Sequence, residues 1–191
     1  MNTVDPIKTK GEMKKMRKYL KKNNMRNYAL FILGTNSALR ASDLLSFLVS
    51  TIQNLDGSIK DRVTVKEKKT GKTKIFPIND LVKETIIEYL SKSNLDFDDY
   101  LFPSRQGENQ PITRQTVNNI LKEAANACGI KENIASHSMR KSFGYWAYKS
   151  GVDIMTVMKL LNHSSPAITL RYLGITQENL DEVYMNMSKI M

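Results

Sequence analysis

Arg40, Lys69, His137, Arg140, His163 and Tyr172 are the side chains whose types and spacing could do chemistry. Arg40 ends the apolar run ALFILGTNSALR, where a guanidinium is costly unless something anionic meets it. The ordinary alternative is a salt bridge to Asp43, three residues on. His137 and Arg140 stand at i and i+3 in HSMRKSFGYWAYKSG, so a helix beginning there places both on one face. Its N-terminus also offers free N–H groups to an anion. The chain has two histidines; the second, His163, lies in LLNHSSPAITLRYL, and Tyr172 follows it in the same segment. Lys69 belongs to the lysine-rich stretch KEKKTGKTKIFPI. Each residue has a plainer reading: a surface histidine or arginine, a packing tyrosine, a solvated lysine at a sheet edge. As a set they are cations, imidazoles and one phenol, an inventory suited to an anionic ligand.

The charge balance points the same way. Twenty-nine Lys and Arg against 19 Asp and Glu give a net charge of +10, and a field of that sign favours polyanions, DNA or RNA first. A merely soluble basic surface is the competing account. Hydrophobic residues make up 41% of the chain, enough for a sizeable core and too many for disorder. Cys128 is the single cysteine, so no internal disulfide forms, which fits a reducing cytoplasm. The start, MNTVDPIKTKGEMKK, has charges with no apolar run behind them, unlike a signal peptide. No stretch approaches the roughly 20 apolar residues that span a bilayer.

The elements that must position these residues are mostly helical. A helix is expected from about Lys10 to Lys22, capped by Thr9 with Glu12 completing a capping box. Asn23-Asn24 breaks it, and a second helix through MRNYALFILGTNSA is too apolar all round to be a surface element. A short helix over Ser42–Phe47 follows. Leu48–Ile52 is β-prone, and Arg62–Glu67 with Lys74–Ile78 reads as a hairpin turning near Thr70-Gly71, so a small antiparallel sheet of two or three strands is expected. Asn79 caps a helix of about twelve residues, and Asn94–Asp99 is an acidic loop. Further helices are expected from Thr113 to about Cys128-Gly129, from about Ser138 to Lys149, over Asp153–Leu161, and after Thr176, where Leu180, Val183, Tyr184 and Met187 share a face.

In this order, the residues resemble the tyrosine recombinase, or phage integrase, family. SALRASDLL is similar to its first arginine box, HSMR to its His-x-Leu-Arg box, and LLNHSSPAITLRYL to its Leu-Gly-His-Ser-Ser…Thr…Tyr box. The likeness runs from roughly Met25 to the C-terminus, and three boxes in order, with both histidines in register, are specific. Asp43 stands where the family usually has glutamate, Asn162 where it has glycine, and Lys141 where a histidine is frequent. Asn162 tolerates a left-handed backbone, so the turn before His163 survives. The resemblance implies a mainly α fold with a small antiparallel β-sheet, the tyrosine recombinase catalytic-domain fold of the DNA breaking-rejoining type. It casts Tyr172 as nucleophile, Arg40 and Arg140 as the phosphate clamp, and Lys69 as general acid for the 5′-oxygen. His137 becomes an acid–base aid to Tyr172 and His163 a hydrogen-bond donor to the phosphate. Lys66, Lys68 and Lys72 stand beside Lys69 as alternatives.

The implied chemistry is physically coherent. A free phenol ionises near about pH 10 and needs help. Guanidinium forks match phosphate oxygens and stabilise a pentacoordinate transition state. A 3′-phosphotyrosine keeps the bond energy, so ATP is not required. The sequence offers no cluster with metal-ligand spacing, and no cofactor is expected. The expected organisation is one catalytic domain over residues 1–191, with a flexible arm at 1–8 and a helix at 176–191 of the kind the family exchanges between protomers. The family's N-terminal clamp domain is absent from it. Short integrase-like proteins of Gram-positive bacteria, their phages and mobile elements are similar. The expected partner is double-stranded DNA, bound by a homo-tetramer on paired sites with a monomer allowed in isolation, in a bacterial or phage-encoded, cytoplasmic, nucleoid-associated setting without a membrane. Two other readings keep the fold: a silent DNA-binding regulator, and a nicking-closing enzyme like type IB topoisomerases. Lysines and arginines crowd Lys8–Arg26 and Lys60–Lys74, and both segments could follow the DNA backbone, with plain solvation as the alternative.

Overall fold

The computed structural model describes residues 4–175 together with Asp181, Tyr184 and Met185. The chain opens with α1 (Lys10–Asn23), and the Thr9 hydroxyl accepts a hydrogen bond from the Glu12 N–H at 3.1 Å, which satisfies an N-terminal donor the helix itself cannot. Asn24 has an extended backbone, closes α1 and caps α2 (Met25–Ser37) by accepting from the Asn27 N–H. All of Tyr28–Gly34 is buried, because α2 is the central rod, packed by α1 on one side and by α5 (Asp80–Ser91) and α7 (Ser136–Lys149) on others. Gly34 lets α7 come close: a Cβ there would meet Met139 Sδ at 2.5 Å.

After α2 come two single turns, α3 (Ala41–Leu44) and α4 (Val49–Ile52). The β-prone reading of Leu48–Ile52 is corrected here. The Leu48 N–H donates to Thr51 Oγ1 at 3.1 Å, and a turn buries both Val49 and Ile52, which an alternating strand of the same residues cannot do. Only the flanks pair, as isolated bridges of Leu48 with Tyr100 and Gln53 with Ile59. The sheet is therefore the two-stranded antiparallel pair β1 (Arg62–Lys66) and β2 (Thr73–Pro77), with Val63 opposite Phe76 and Val65 opposite Lys74. Val63, Val65 and Phe76 face the core.

Helices α5 and α6 (Arg114–Ala127) begin at Asn79 and Thr113, whose side chains accept from Val82 and Thr116 N–H groups. Gly129 follows α6 with φ 70°, as the left-handed C-terminal stop requires. The end of the described chain carries α8 (Ile154–Leu160) and α9 (Pro166–Leu173). Helix α9 was not among the expected elements. Its signal is local: Ser165 caps it, Pro166 opens it, and Gly174 stops it at φ 69°, the asymmetry typical of a short helix.

Two clusters of buried side chains result. The larger spans α1, α2, α5, α6 and the sheet. The smaller packs Ala38, Val157, Leu161 and Leu173 with Phe143, Tyr148 and Tyr172. Residues 4–8 are not a loose arm. Ile7 is 1% exposed, its N–H donates to Ser142 Oγ at 2.8 Å, and its carbonyl accepts from Trp146 Nε1 at 2.9 Å. Residues 1–3 of that arm, and all of the expected C-terminal helix except Asp181, Tyr184 and Met185, lie outside the described residues.

Candidate active site

Arg40 and Arg140 arrive from different parts of the chain. Arg40 follows the end of α2, where Ala38 takes a left-handed backbone with φ 54°. That conformation is uncommon for a residue with a Cβ, and here the Ala38 carbonyl accepts from both Arg140 Nη1 and Lys74 Nζ. Arg140, in the first turns of α7, is 2% exposed. Its Nη2 donates to the Leu161 carbonyl at the end of α8, so one guanidinium ties α2, α7 and α8 together. Lys74 makes a parallel tie from β2 to the Leu160 carbonyl at 2.9 Å. Burial pushes its pKa down to about 8, with the Arg140 charge next in the same direction.

Glu67, beyond the end of β1, is the counter-charge. Arg40 Nη1 lies 3.0 Å from its Oε2 and Arg140 Nη1 lies 3.7 Å from its Oε1. The expected Arg40–Asp43 pair is thus replaced. Asp43, wholly buried, instead accepts from the Lys68 backbone N–H at 3.0 Å and fixes the base of the hairpin turn. Glu67 was missed from the sequence because it reads as one charge in a charged strand, and only the fold brings it between two arginines.

Lys69, Arg40, His137 and Arg114 line one cavity of about 180 Å³, a basic recess suited to an anion. Lys69 is exposed in the turn. Among the alternatives, Lys72 reaches away to Asn162 Oδ1 at 3.4 Å, and Lys66 is an exposed end of β1. Arg114, the first residue of α6, was also missed; its signal is the helix start set by Thr113. Burial lowers the pKa of His137, and the charges of Arg114, Arg140 and Arg40 push the same way, so its imidazole is neutral near pH 7 and free to take a proton.

His163 follows Asn162, whose φ of 49° makes the turn out of α8. The Thr169 hydroxyl donates to the Ser165 carbonyl and meets His163 Nδ1 at 3.1 Å, holding the ring from α9. The His163 and Tyr172 rings are edge-to-face with centroids 4.8 Å apart. Lys141 Nζ sits 5.0 Å from the Tyr172 ring centroid on its face, a cation–π arrangement. Burial pushes the Tyr172 phenol up, while the charges of Arg140 and Arg40 and a hydrogen bond with Arg140 oppose it. All six sequence-selected side chains therefore converge around the end of α2 and the start of α7, within one chain. Among the described residues no three His, Cys, Asp or Glu side chains group as a metal site, and no helix is long and apolar enough to cross a membrane.

This architecture is that of a tyrosine recombinase catalytic domain. It superposes on the crystal structure of XerA recombinase with a TM-score of 0.75 at 21% identity, covering 97% of this chain and 66% of that one. The XerH site-specific recombinase bound to its palindromic difH substrate matches with a TM-score of 0.70 at 18% identity, over 96% of this chain and 53% of that one. The phage integrase family model matches residues 8–179, further toward the N-terminus than Met25. A probable integrase/recombinase of Bacillus subtilis, YoeC, is 40% identical over 184 residues, 96% of this chain and 97% of its own length. The chain belongs to the phage integrase family. It spans 61% of the length of the curated tyrosine recombinase XerA of Pyrococcus furiosus and 50% of that of XerC of Rickettsia canadensis.

Proposed function

We propose that this chain is a site-specific DNA recombinase or integrase that cleaves and rejoins duplex DNA through a 3′-phosphotyrosine intermediate. The observation that carries this reading is the joining, within one chain, of Tyr172 to the buried Arg140 and the partly buried Arg40. Tyr172 Oη attacks the scissile phosphorus, and the bond from phosphorus to the 5′-oxygen breaks. The phenol proton passes to neutral His137, and Lys69 supplies a proton to the departing 5′-oxygen. Arg40 and Arg140 hold the non-bridging oxygens as charge builds on them, and His163 donates to the same phosphate. Attack of another strand's 5′-hydroxyl on the phosphotyrosine reverses the steps and rejoins DNA, with no ATP consumed.

DNA is the partner because a chain of net charge +10 presents a basic recess lined by Arg40, Lys69, Arg114 and His137. Strand exchange needs four active sites on two DNA sites, so the working form on this reading is a homo-tetramer. The exposure of Tyr184 and Met185 suits a tail that docks on a neighbouring protomer. Such work belongs in the cytoplasm, at the nucleoid.

The test is a nicked suicide duplex, drawn from DNA at the protein's own locus, that traps the cleaved state. An SDS-resistant protein–DNA adduct, mapping to a phosphotyrosine at residue 172 and missing in Tyr172→Phe, is the expected result. A folded protein that binds DNA yet forms no adduct overturns the reading in favour of a DNA-binding regulator.

A further inference from the structure

Glu67 is 1% exposed and is not one of the six residues assigned a chemical role above. Its Oε2 accepts from Thr70 Oγ1 at 2.7 Å, in the turn that carries Lys69, and from Asn162 Nδ2 at 2.8 Å, beside His163. Its backbone N–H donates to the Lys72 carbonyl at 2.9 Å, and its own carbonyl accepts from the Gly71 N–H at 2.8 Å, closing the same turn. The two guanidiniums flank the carboxylate at 3.0 Å and 3.7 Å. One carboxylate therefore touches the supports of both arginines, the lysine turn and the second histidine.

The geometry of the arginine contact is informative. Arg40 Nη1 lies at ion-pair distance from Glu67 Oε2 but off the direction of a hydrogen bond; it is buried and makes none among the described residues. Glu67 Oε1 likewise makes none. Buried polar atoms left this way are rare and call for a reason. Two like charges sharing a buried site repel, and a carboxylate between them offsets that repulsion. It does so here without a directed hydrogen bond to Arg40 Nη1.

We propose that Glu67 is a positioning residue of the reaction, which holds Arg40 and Arg140 at the spacing that grips the scissile phosphate and locks the Lys69 turn and the His163 turn to them. The role rests on the recombinase reading above. Its partner Asn162 stands where the family pattern has glycine, and its side-chain amide donates to the Glu67 carboxylate. Burial pushes the Glu67 carboxyl up, but hydrogen bonds from Thr70 and Asn162 and the contact and charge of Arg40 overcome it and hold it at about 2. It is thus a fixed negative charge at any working pH.

The test is single-turnover cleavage by Glu67→Gln of two suicide duplexes, one with the natural phosphodiester and one with an uncharged methylphosphonate at the scissile position. Glutamine keeps the size of the side chain and an acceptor for Thr70 and Asn162 but loses the charge. On the phosphodiester the rate falls about 10- to 100-fold, the scale of a misplaced catalytic group, while DNA affinity is kept or slightly tightened. On the methylphosphonate the gap narrows to about 3-fold or less, because one non-bridging oxygen and one negative charge fewer are left for the arginine pair to stabilise. A defect of equal size on both substrates, or one that merely follows the folded fraction in a melting curve, makes Glu67 structural only and overturns the proposal; so does a wild-type rate. Should Glu67→Gln fail to fold, Asn162→Gly removes the amide donor to Glu67, together with the longer contact from Lys72, at a backbone that glycine accepts. A loss of about 3- to 10-fold with the same narrowing is then expected, and the same two outcomes overturn the proposal. A wild-type protein that forms no adduct sinks the recombinase reading along with this one, whereas an active wild type beside an equally active variant sinks this one alone.

Discussion

At the scale of the residue, the site sets a phenol that burial makes harder to ionise against two guanidiniums that make it easier. Chemistry then depends on the arginines and on a base nearby. His137 and His163 are both held below their ordinary pKa of 6.5, by burial first and by arginine charge second. The unfolded chain therefore binds protons that the folded chain refuses. The stability these rings contribute is whole above pH 6.5 and is lost as pH falls through their lower folded values. Urea denaturation should show stability falling as pH drops below about 6.5, with a shallower slope in His137→Gln, and wild-type cleavage should slow at the lower pH where folded His137 becomes charged. The general acid can be identified by leaving group. Lys69→Ala should cleave ordinary DNA about 100-fold or more slowly and recover on DNA with sulfur at the scissile 5′-bridging position, since a thiolate leaves without a proton. Lys68→Ala and Lys72→Ala should show neither effect; recovery by sulfur in Lys72→Ala instead would move the role to Lys72.

At the scale of the element, much of the site is a matter of helix ends. Arg40 lies beyond the C-terminus of α2, Arg114 and His137 lie in first turns, and Tyr172 lies near the end of α9. The helices with capping side chains, such as those behind Thr9, Asn79 and Thr113, were legible because the cap is a local hydrogen bond. The turn at Val49–Ile52 was not, because the same β-branched residues suit a strand until burial of neighbouring rather than alternate residues decides. Helix α9 presses on α7 at Gly144, where a Cβ would meet Leu173 Cδ2 at 2.7 Å and Leu161 Cδ1 at 2.9 Å. Overpacking there costs about 1–3 kcal/mol, against about 1 kcal/mol gained in helix propensity. Gly144→Ala should therefore lose about 1 kcal/mol in denaturant unfolding and slow cleavage further than it weakens DNA binding, because the displaced helix carries Tyr172. Slowed binding with unchanged chemistry would count against that coupling.

At the scale of the whole molecule, the charge of +10 surrounds a buried cluster in which Arg40, Arg140 and Lys74 outnumber Glu67 and Asp43 by one positive charge. The surplus is the charge that a phosphodiester would neutralise. DNA binding should accordingly be strongly salt-dependent: four phosphate contacts imply roughly a 100-fold loss of affinity between about 50 and 200 mM salt. A titration at several salt concentrations checks this, and a flat response would mean that phosphate contacts do not carry the binding. Two cores serve two purposes. The larger fixes α2 and the hairpin, and the smaller carries α8 and α9, and Arg140 and Lys74 tie the two together through the Ala38, Leu160 and Leu161 carbonyls.

The sequence by itself determined the family and the mainly helical class, and it singled out six candidate side chains, because each box is a short run whose residue types and order survive without knowledge of contacts. Helix caps and the hairpin turn were equally local. The tertiary structure alone decided what binds what. Arg40 passed over Asp43, three residues away, for Glu67; Asp43 turned to the backbone of the lysine hairpin; Arg114 joined His137 at the recess; and Ile7 was drawn into the core. Those outcomes depend on which charges share a buried volume. In a low-dielectric interior, distance and desolvation choose the partner, and sequence separation does not report either.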